Sequence, residues 1–164
     1  MACRPARECL EASRWAAVEG AEVAVLESIE ELRDAAERLA GCGYKLFLSL
    51  IGVDEPEKNT IRLTYTAACP DDPSLVAGVE VEVPRDRPVA PSLREVWPGI
   101  DLQEREVHEM LGVMFIGQPD LRHLLLPPDW PRGVYPLRKD FRVSEEGFLY
   151  APGATAQPRG KRAP

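Results

Sequence analysis

Two histidines, His108 and His123, are all that the 164 residues supply. Neither has a second histidine four positions away on one helix, so the paired-imidazole spacing of a helical zinc site is missing. Four cysteines, Cys3, Cys9, Cys42 and Cys69, form neither a C-x-x-C pair nor an iron–sulfur run. They are expected to be reduced, ordinary thiols, with Cys42 a small core residue and not a ligand. Gly41-Cys42-Gly43 lacks the G-x-G-x-x-G spacing of a phosphate loop and follows a helical pattern instead of a strand. Basic residues are the minority, 20 against 27 acids for a net charge of −7. They are scattered among those acids, which argues against a nucleic-acid partner. No apolar run approaches the roughly 18 residues of a membrane span, and the first residues lack a signal peptide's apolar core. The expectation is a soluble, intracellular chain, which could be held at a membrane only through other proteins.

What the chain has in quantity is proline. Twelve of its sixteen prolines lie from Pro84 onward, which marks a change from a regular domain to an irregular arm. At that boundary Pro98-Gly99 turns the chain, Asp101 can cap a helix and Glu104, three residues on, completes a capping box. Val107, Met110, Leu111 and Met114 recur at helical spacing to make one apolar stripe, and Gly112 offers a left-handed stop. The other face carries Glu104, Arg105, Glu106, His108 and Glu109, with Arg105 and Glu109 spaced as an exposed pair. Three readings are open for that face: a solvated surface, a docking face, or a general acid/base cluster.

From Val113 to Phe141 the chain holds Phe115, Leu121, Leu124, Leu125, Leu126, Trp130, Tyr135 and Leu137 but is cut by five prolines between Pro119 and Pro136. It cannot be one helix. Unstructured stretches beyond about 12 to 15 residues are uncommon unless they bind something or are disordered, and so many large apolar side chains fit disorder poorly. Burying one apolar side chain yields roughly 1.5 to 3 kcal/mol, whereas fixing the backbone costs about 1 to 2 kcal/mol for every residue. Such an arm is marginal alone, and is expected to lie partly on its own domain and partly on a partner.

Read together, these segments resemble the C subunit, or 30 kDa subunit, of respiratory complex I and its relatives in membrane-bound energy-converting nickel-iron hydrogenases. The resemblance rests on Glu104-Arg105-Glu106, two variable residues Val107 and His108, acidic Glu109 and apolar Met110 and Leu111, followed by Gly112 and Val113. Downstream, Gly117, Pro119, Asp120 and Leu121 match a Gly-His-Pro-Asp-Leu-like turn, and Pro136-Leu137-Arg138-Lys139-Asp140-Phe141 matches the closing motif in full. Two departures stand out. Gln118 replaces a usual histidine, keeping hydrogen bonding but losing a titratable ring, and Arg142 stands where many members have a proline.

Upstream, the residues by themselves specify a small α+β domain. A helix is expected near Arg7 to Val18, a strand at Ala21 to Leu26, and a second helix capped by Ser28 and Glu31, with Ile29, Leu32, Ala36 and Leu39 on one face. Tyr44 to Val53 reads as a buried strand and Asp54 to Thr60 as a polar turn. Half-buried strands follow at Ile61, Leu63, Tyr65 and at Val79, Val81, Val83, giving a mixed sheet of about four strands packed on helices. The expected organisation is a domain over 1–112, a partner-docking arm over 113–143 and a flexible tail over 144–164.

The resemblance implies an accessory subunit without redox centres. It would sit in the peripheral arm, on the cytoplasmic face of the cell membrane, against the large quinone-site (or nickel–iron) subunit and the cluster-bearing small subunit. Cofactors would be bound by those neighbours, and no catalytic, cofactor-binding or metal-binding residue is expected here. The signature residues Glu104, Arg105, Glu106, Glu109, Gly112, Pro119, Asp120, Pro136, Arg138, Lys139 and Asp140 are expected to serve docking. Glu104, Arg105, Glu106, Arg138, Lys139 and Asp140 are expected to make ion pairs with a partner or with one another. Replacing Glu104 and Glu106 by alanine is then expected to weaken assembly while leaving the isolated domain folded. A free-standing interaction module is the alternative from a different class.

Overall fold

The computed structural model describes residues 3–18, 20–143 and 149–150. Apart from a two-residue strand at Leu149–Tyr150, the tail expected over 144–164 lies outside the described residues.

Five strands, β1 (Arg14–Val18), β2 (Ala21–Val25), β3 (Leu46–Glu55), β4 (Thr60–Ala68) and β5 (Val76–Pro84), form one sheet in the order β1-β2-β5-β4-β3. Only β2 and β5 run parallel in it; the other neighbours are antiparallel. Helix α1 is a single turn, Ala6–Cys9, and α2 spans Leu32–Gly41, entered through a 3-10 turn at Ile29–Glu31. The expected leading helix over Arg7 to Val18 is thus wrong for most of its length. Arg14–Val18 instead pairs with Ala21–Val25 through a tight turn in which Gly20 takes φ 88°, and the ladder this hairpin completes outweighs a weak helical spacing.

The alternation in β4 and β5 does what it suggests, since Ile61, Leu63, Tyr65, Val79, Val81 and Val83 are all buried in one core with Leu32, Ala36 and Leu39 of α2. Strand β3 departs from expectation. It is an edge strand, with Leu46, Leu48 and Ile51 exposed, and it continues to Glu55, so that Asp54 belongs to the strand and not to the turn. The turn itself is 56–59, where Asn59 accepts φ 55°.

After β5 come β6 (Val89–Pro91), a 3-10 turn at Pro98–Ile100, α3 (Asp101–Leu111) and β7 (Met114–Ile116), which lies parallel to β6. Helix α3 packs on β3 at Gly52, where a Cβ would come within 2.5 Å of Leu111 Cδ1. Trp97, fully buried ahead of α3, donates its indole N–H to the Tyr44 carbonyl at 2.9 Å and fixes that end of the helix. The remaining chain crosses the surface as a strap without regular structure until the two-residue β8 (Arg142–Val143), which pairs with β9 (Leu149–Tyr150).

The cysteines correct a second expectation. Cys3 pairs with Cys69 and Cys9 with Cys42, and no free cysteine remains. Their Cα separations of 6.0 and 6.2 Å suit disulfides, and the partners stand 66 and 33 residues apart, a relation that spacing motifs do not encode.

Candidate docking site: the helix and its strap

The capping box expected at the start of α3 does not form. The position before the helix is Ile100, and no side chain caps it. Glu104 has turned inward and is fully buried. One carboxylate oxygen accepts from Ser92 Oγ at 2.7 Å and Gln118 Nε2 at 3.0 Å, and the other from the Leu93 amide at 2.8 Å. Burial pushes its pKa up from the usual glutamate value; the three hydrogen bonds oppose that shift without cancelling it. Glu104 therefore ties the loop after β6 to the turn after β7. Gln118, where the resemblance leads one to expect a histidine, supplies one of the three donors through its amide.

Glu109, five positions on, also points inward and holds the strap directly. It accepts from the backbone amides of Leu124 at 2.9 Å, Leu125 at 2.7 Å and Leu126 at 3.3 Å, with His123 Nδ1 at 3.4 Å. Burial alone would raise its pKa, but these bonds to the charged form hold it below the usual value. The expected Arg105–Glu109 surface pair is accordingly absent. Arg105 reaches the carbonyls of Arg122, at 3.0 Å, and His123, at 3.4 Å, and lies 3.7 Å from Asp120. Asp120 is bound more closely by Arg122, at 2.8 Å on both oxygens, which holds its carboxyl well below the ordinary range. Pro119 is exposed beside it, and Glu106 is exposed on the outer side of α3.

The closing motif fastens the other end. The Leu137 amide donates to the Met110 carbonyl at 3.1 Å and Arg138 Nε to the Leu111 carbonyl at 2.8 Å. Two helix-terminal carbonyls that lack partners within α3 are thereby satisfied, one of them by a cation. Gly112 ends the helix at φ 84°, and a Cβ there would lie 2.5 Å from the Tyr135 ring. That ring carries the Arg138 guanidinium 4.6 Å from its centre, with half-buried Pro136 between the two residues in sequence. The Lys139 amide donates to Asp54 Oδ2 at 2.7 Å; Arg85 grips Asp54 at 2.6 and 3.0 Å and reaches Asp140 at 2.9 Å. Burial would raise the Asp54 pKa, but Arg85 and the Lys139 amide bring it below its usual value. Asp54, Arg85 and Ser92 do not stand out in the sequence, because a lone polar residue next to a turn looks like surface.

Within the chain, the six residues expected to make ion pairs with a partner or with one another do not pair with one another. Among the described residues, no group of three His, Cys, Asp or Glu side chains could hold a metal ion, and no helix is long and apolar enough to cross a membrane. What the arrangement does is mechanical: it pins an irregular segment to a helix at both ends while Leu124, Leu125 and Leu137 stay exposed.

Residues 24–147 match the sequence model of the family described as respiratory-chain NADH dehydrogenase, 30 Kd subunit. The chain belongs to this family. Among members of the 30 kDa subunit family it is similar to the C subunit of the NADH-quinone oxidoreductase of Moorella thermoacetica, 38% identical over 105 residues, 64% of this chain and 69% of that protein. It is also similar to the corresponding NADH-quinone oxidoreductase protein of Sinorhizobium medicae, 38% identical over 109 residues, 66% of this chain and 51% of the other. The membrane-bound hydrogenase subunit beta of Pyrococcus furiosus is 46% identical over 90 residues, 54% of this chain and 49% of that one. The chain thus spans about half the length of several curated relatives. In fold it resembles a trypsin-resistant fragment of Nqo5, with a TM-score of 0.55 and 25% identity over 62% of this chain and 83% of that one. A chain of the membrane-bound sulfane sulfur reductase, an archaeal respiratory membrane complex, shares the fold with a TM-score of 0.70 and 24% identity over 84% of this chain and 82% of the other.

Proposed function

We propose that this chain is an accessory subunit, without redox centres of its own, in the peripheral arm of a membrane-bound complex I-like oxidoreductase coupled to ion translocation. It docks on the large quinone-site subunit next to the cluster-bearing small subunit, at the cytoplasmic face. Electrons pass from NADH or another reduced carrier to quinone through those neighbours, which hold the iron–sulfur clusters, while this chain fixes their relative positions.

The observation that carries this reading is the strap. Its backbone is held by Glu109, Asp54 and the end of α3 together with buried Val134 and half-buried Trp130, Tyr135 and Phe141, while Leu124, Leu125 and Leu137 stay outside. Exposed apolar residues on a fixed backbone suit an interface already shaped before the partner arrives. The 46% identity to a hydrogenase subunit beta supports a second reading, the equivalent subunit of an energy-converting nickel-iron hydrogenase.

The test is to tag the chain, solubilise native membranes gently, identify what copurifies, and assay nickel and NADH-dependent quinone reduction on the same sample. Cluster proteins with NADH activity and no nickel are the expected result. Nickel with hydrogen evolution selects the second reading, and a partnerless monomer overturns both in favour of a free-standing module.

A further inference from the structure

Besides Leu124 and Leu125, exposed apolar side chains lie along a seam where the end of the strap meets α3 and β3. Helix α3 and edge strand β3 leave between them a groove of about 240 Å³, lined by Ile51, Gly52, Glu106, Val107, Met110 and Leu137. Ile51 is 46% exposed and Leu137 57%. Leu102, one turn before Glu106 on α3, is 56% exposed, and Leu46 and Leu48 extend the apolar surface along β3.

Two features define what fits. A bare sheet edge would accept an added strand, but here the Leu50 amide donates to Gln103 Oε1 at 2.5 Å and Gln103 Nε2 donates to the Leu48 carbonyl at 3.3 Å. Gln103 thus occupies the edge at Leu48 and Leu50, which blocks an added strand there and favours contact through side chains. Glu106 is the one charged residue in the lining, and among the described residues it has neither a hydrogen bond nor an ion pair. Every other carboxylate of the α3 signature is engaged. A second copy of this chain is disfavoured, because two-fold pairing through this seam would bring like charges together in a molecule of net charge −7.

We propose that the α3–β3 groove seats an aliphatic side chain of a partner subunit, on a segment whose neighbouring lysine or arginine pairs with Glu106. This rests on the docking reading above and names the surface and chemistry of the contact.

The test places a photo-crosslinking residue at Ile51, at Leu137 and, as a control on α2, at Glu37 in the full tagged chain. Each form is irradiated in native membranes and the crosslinked peptides are sequenced. The expected result is one partner peptide captured from both Ile51 and Leu137, with Lys or Arg within about one helical turn of the attached residue, and nothing from Glu37. Glu106→Lys should cut the crosslink yield by about tenfold or more, while Glu106→Gln has a smaller effect. Circular dichroism of both variants should match the parent, since Glu106 holds nothing within the fold. Subunits that copurify normally without seam crosslinks would overturn this inference while leaving the function standing. Crosslinks to a second copy would overturn it in favour of self-association, and a partnerless monomer would remove both.

Discussion

In the sheet, Leu63, Tyr65, Val79 and Val81 are buried and most charges lie outside, whereas in the strap Leu124, Leu125 and Leu137 face solvent and the carboxylates that hold it are buried. The first region is stabilised by removing apolar surface from water, a non-directional effect. The second adds to the burial of Val134 a few directional bonds to Glu109, Asp54 and the end of α3. Hydrogen bonds from Glu109 fix the backbone at Leu124 and Leu125 without using up their side chains, which remain available for another surface. The contrast also explains why so many acids lie in one short helix: of Asp101, Glu104, Glu106 and Glu109, the second and the last are structural anchors.

The contrast can be broken at its strongest point first. Both disulfides, Cys3–Cys69 and Cys9–Cys42, lie in the sheet domain and none in the strap. Reduction should therefore lower unfolding stability by roughly 2 to 4 kcal/mol for each bond, read by urea denaturation with and without reductant, while the strap amides keep their positions in a two-dimensional NMR spectrum. Alkylation before and after reduction should show four additional labelled thiols. Labelling of all four without reductant would remove the staples.

Next in size, Leu63→Ala in the core should cost roughly 2 to 5 kcal/mol, and Leu125→Ala in the strap less than about 0.5 kcal/mol. Equal losses in urea denaturation would sink the distinction. Glu104→Ala, which strands Ser92 Oγ, Gln118 Nε2 and the Leu93 amide, should cost roughly 2 to 3 kcal/mol. The burial of Glu104 therefore adds a stability cost within the isolated domain to the loss of assembly expected from the sequence.

The smallest and most diagnostic effect is the opposite sign of the two glutamates with pH. Glu104 has a raised folded pKa, so its contribution is fully present below the unfolded value of about 4.3 and is lost as pH rises through the folded one. Glu109 has a lowered folded pKa, so its contribution is present above the unfolded value and is lost as pH falls through the folded one. The amide resonances of Leu124, Leu125 and Leu126 should thus shift toward free-chain positions only in acid, below about pH 4. Glu104→Gln, which cannot ionise, should flatten the decline in stability just above that pH. Strap resonances that hold unchanged down to about pH 2 would refute the anchoring role of Glu109.

Much of this is legible in the chain and some is not. The alternation in Ile61 to Tyr65 and Val79 to Val83, the helix ending at Gly112 and the two separated signature motifs all rest on local periodicity or order. The failures share a cause. Ser28, Asp101 and Glu104 have capping spacing, yet no side-chain cap forms at either helix, because Glu104 gains three partners by turning inward. Arg14 to Val18 reads as helix because a strand's partner is not visible in its own residues. Asp54, Arg85 and the cysteine pairs are joined over separations that a local pattern cannot report.

Asp54 also imposes an order of events. It collects Arg85 from 31 residues away and the Lys139 amide from 85 residues away, so the seat of the strap exists only after β3, the end of β5 and the close of α3 have met. Contacts so distant in sequence form late. In pulse-labelled refolding, protection of the Lys139 amide should therefore follow that of Leu63 and Val79. A chain still being synthesised, or one whose sheet has failed, cannot close its strap. Closure of the strap is gated by completion of the fold, and the arm acts as its own inspection seal.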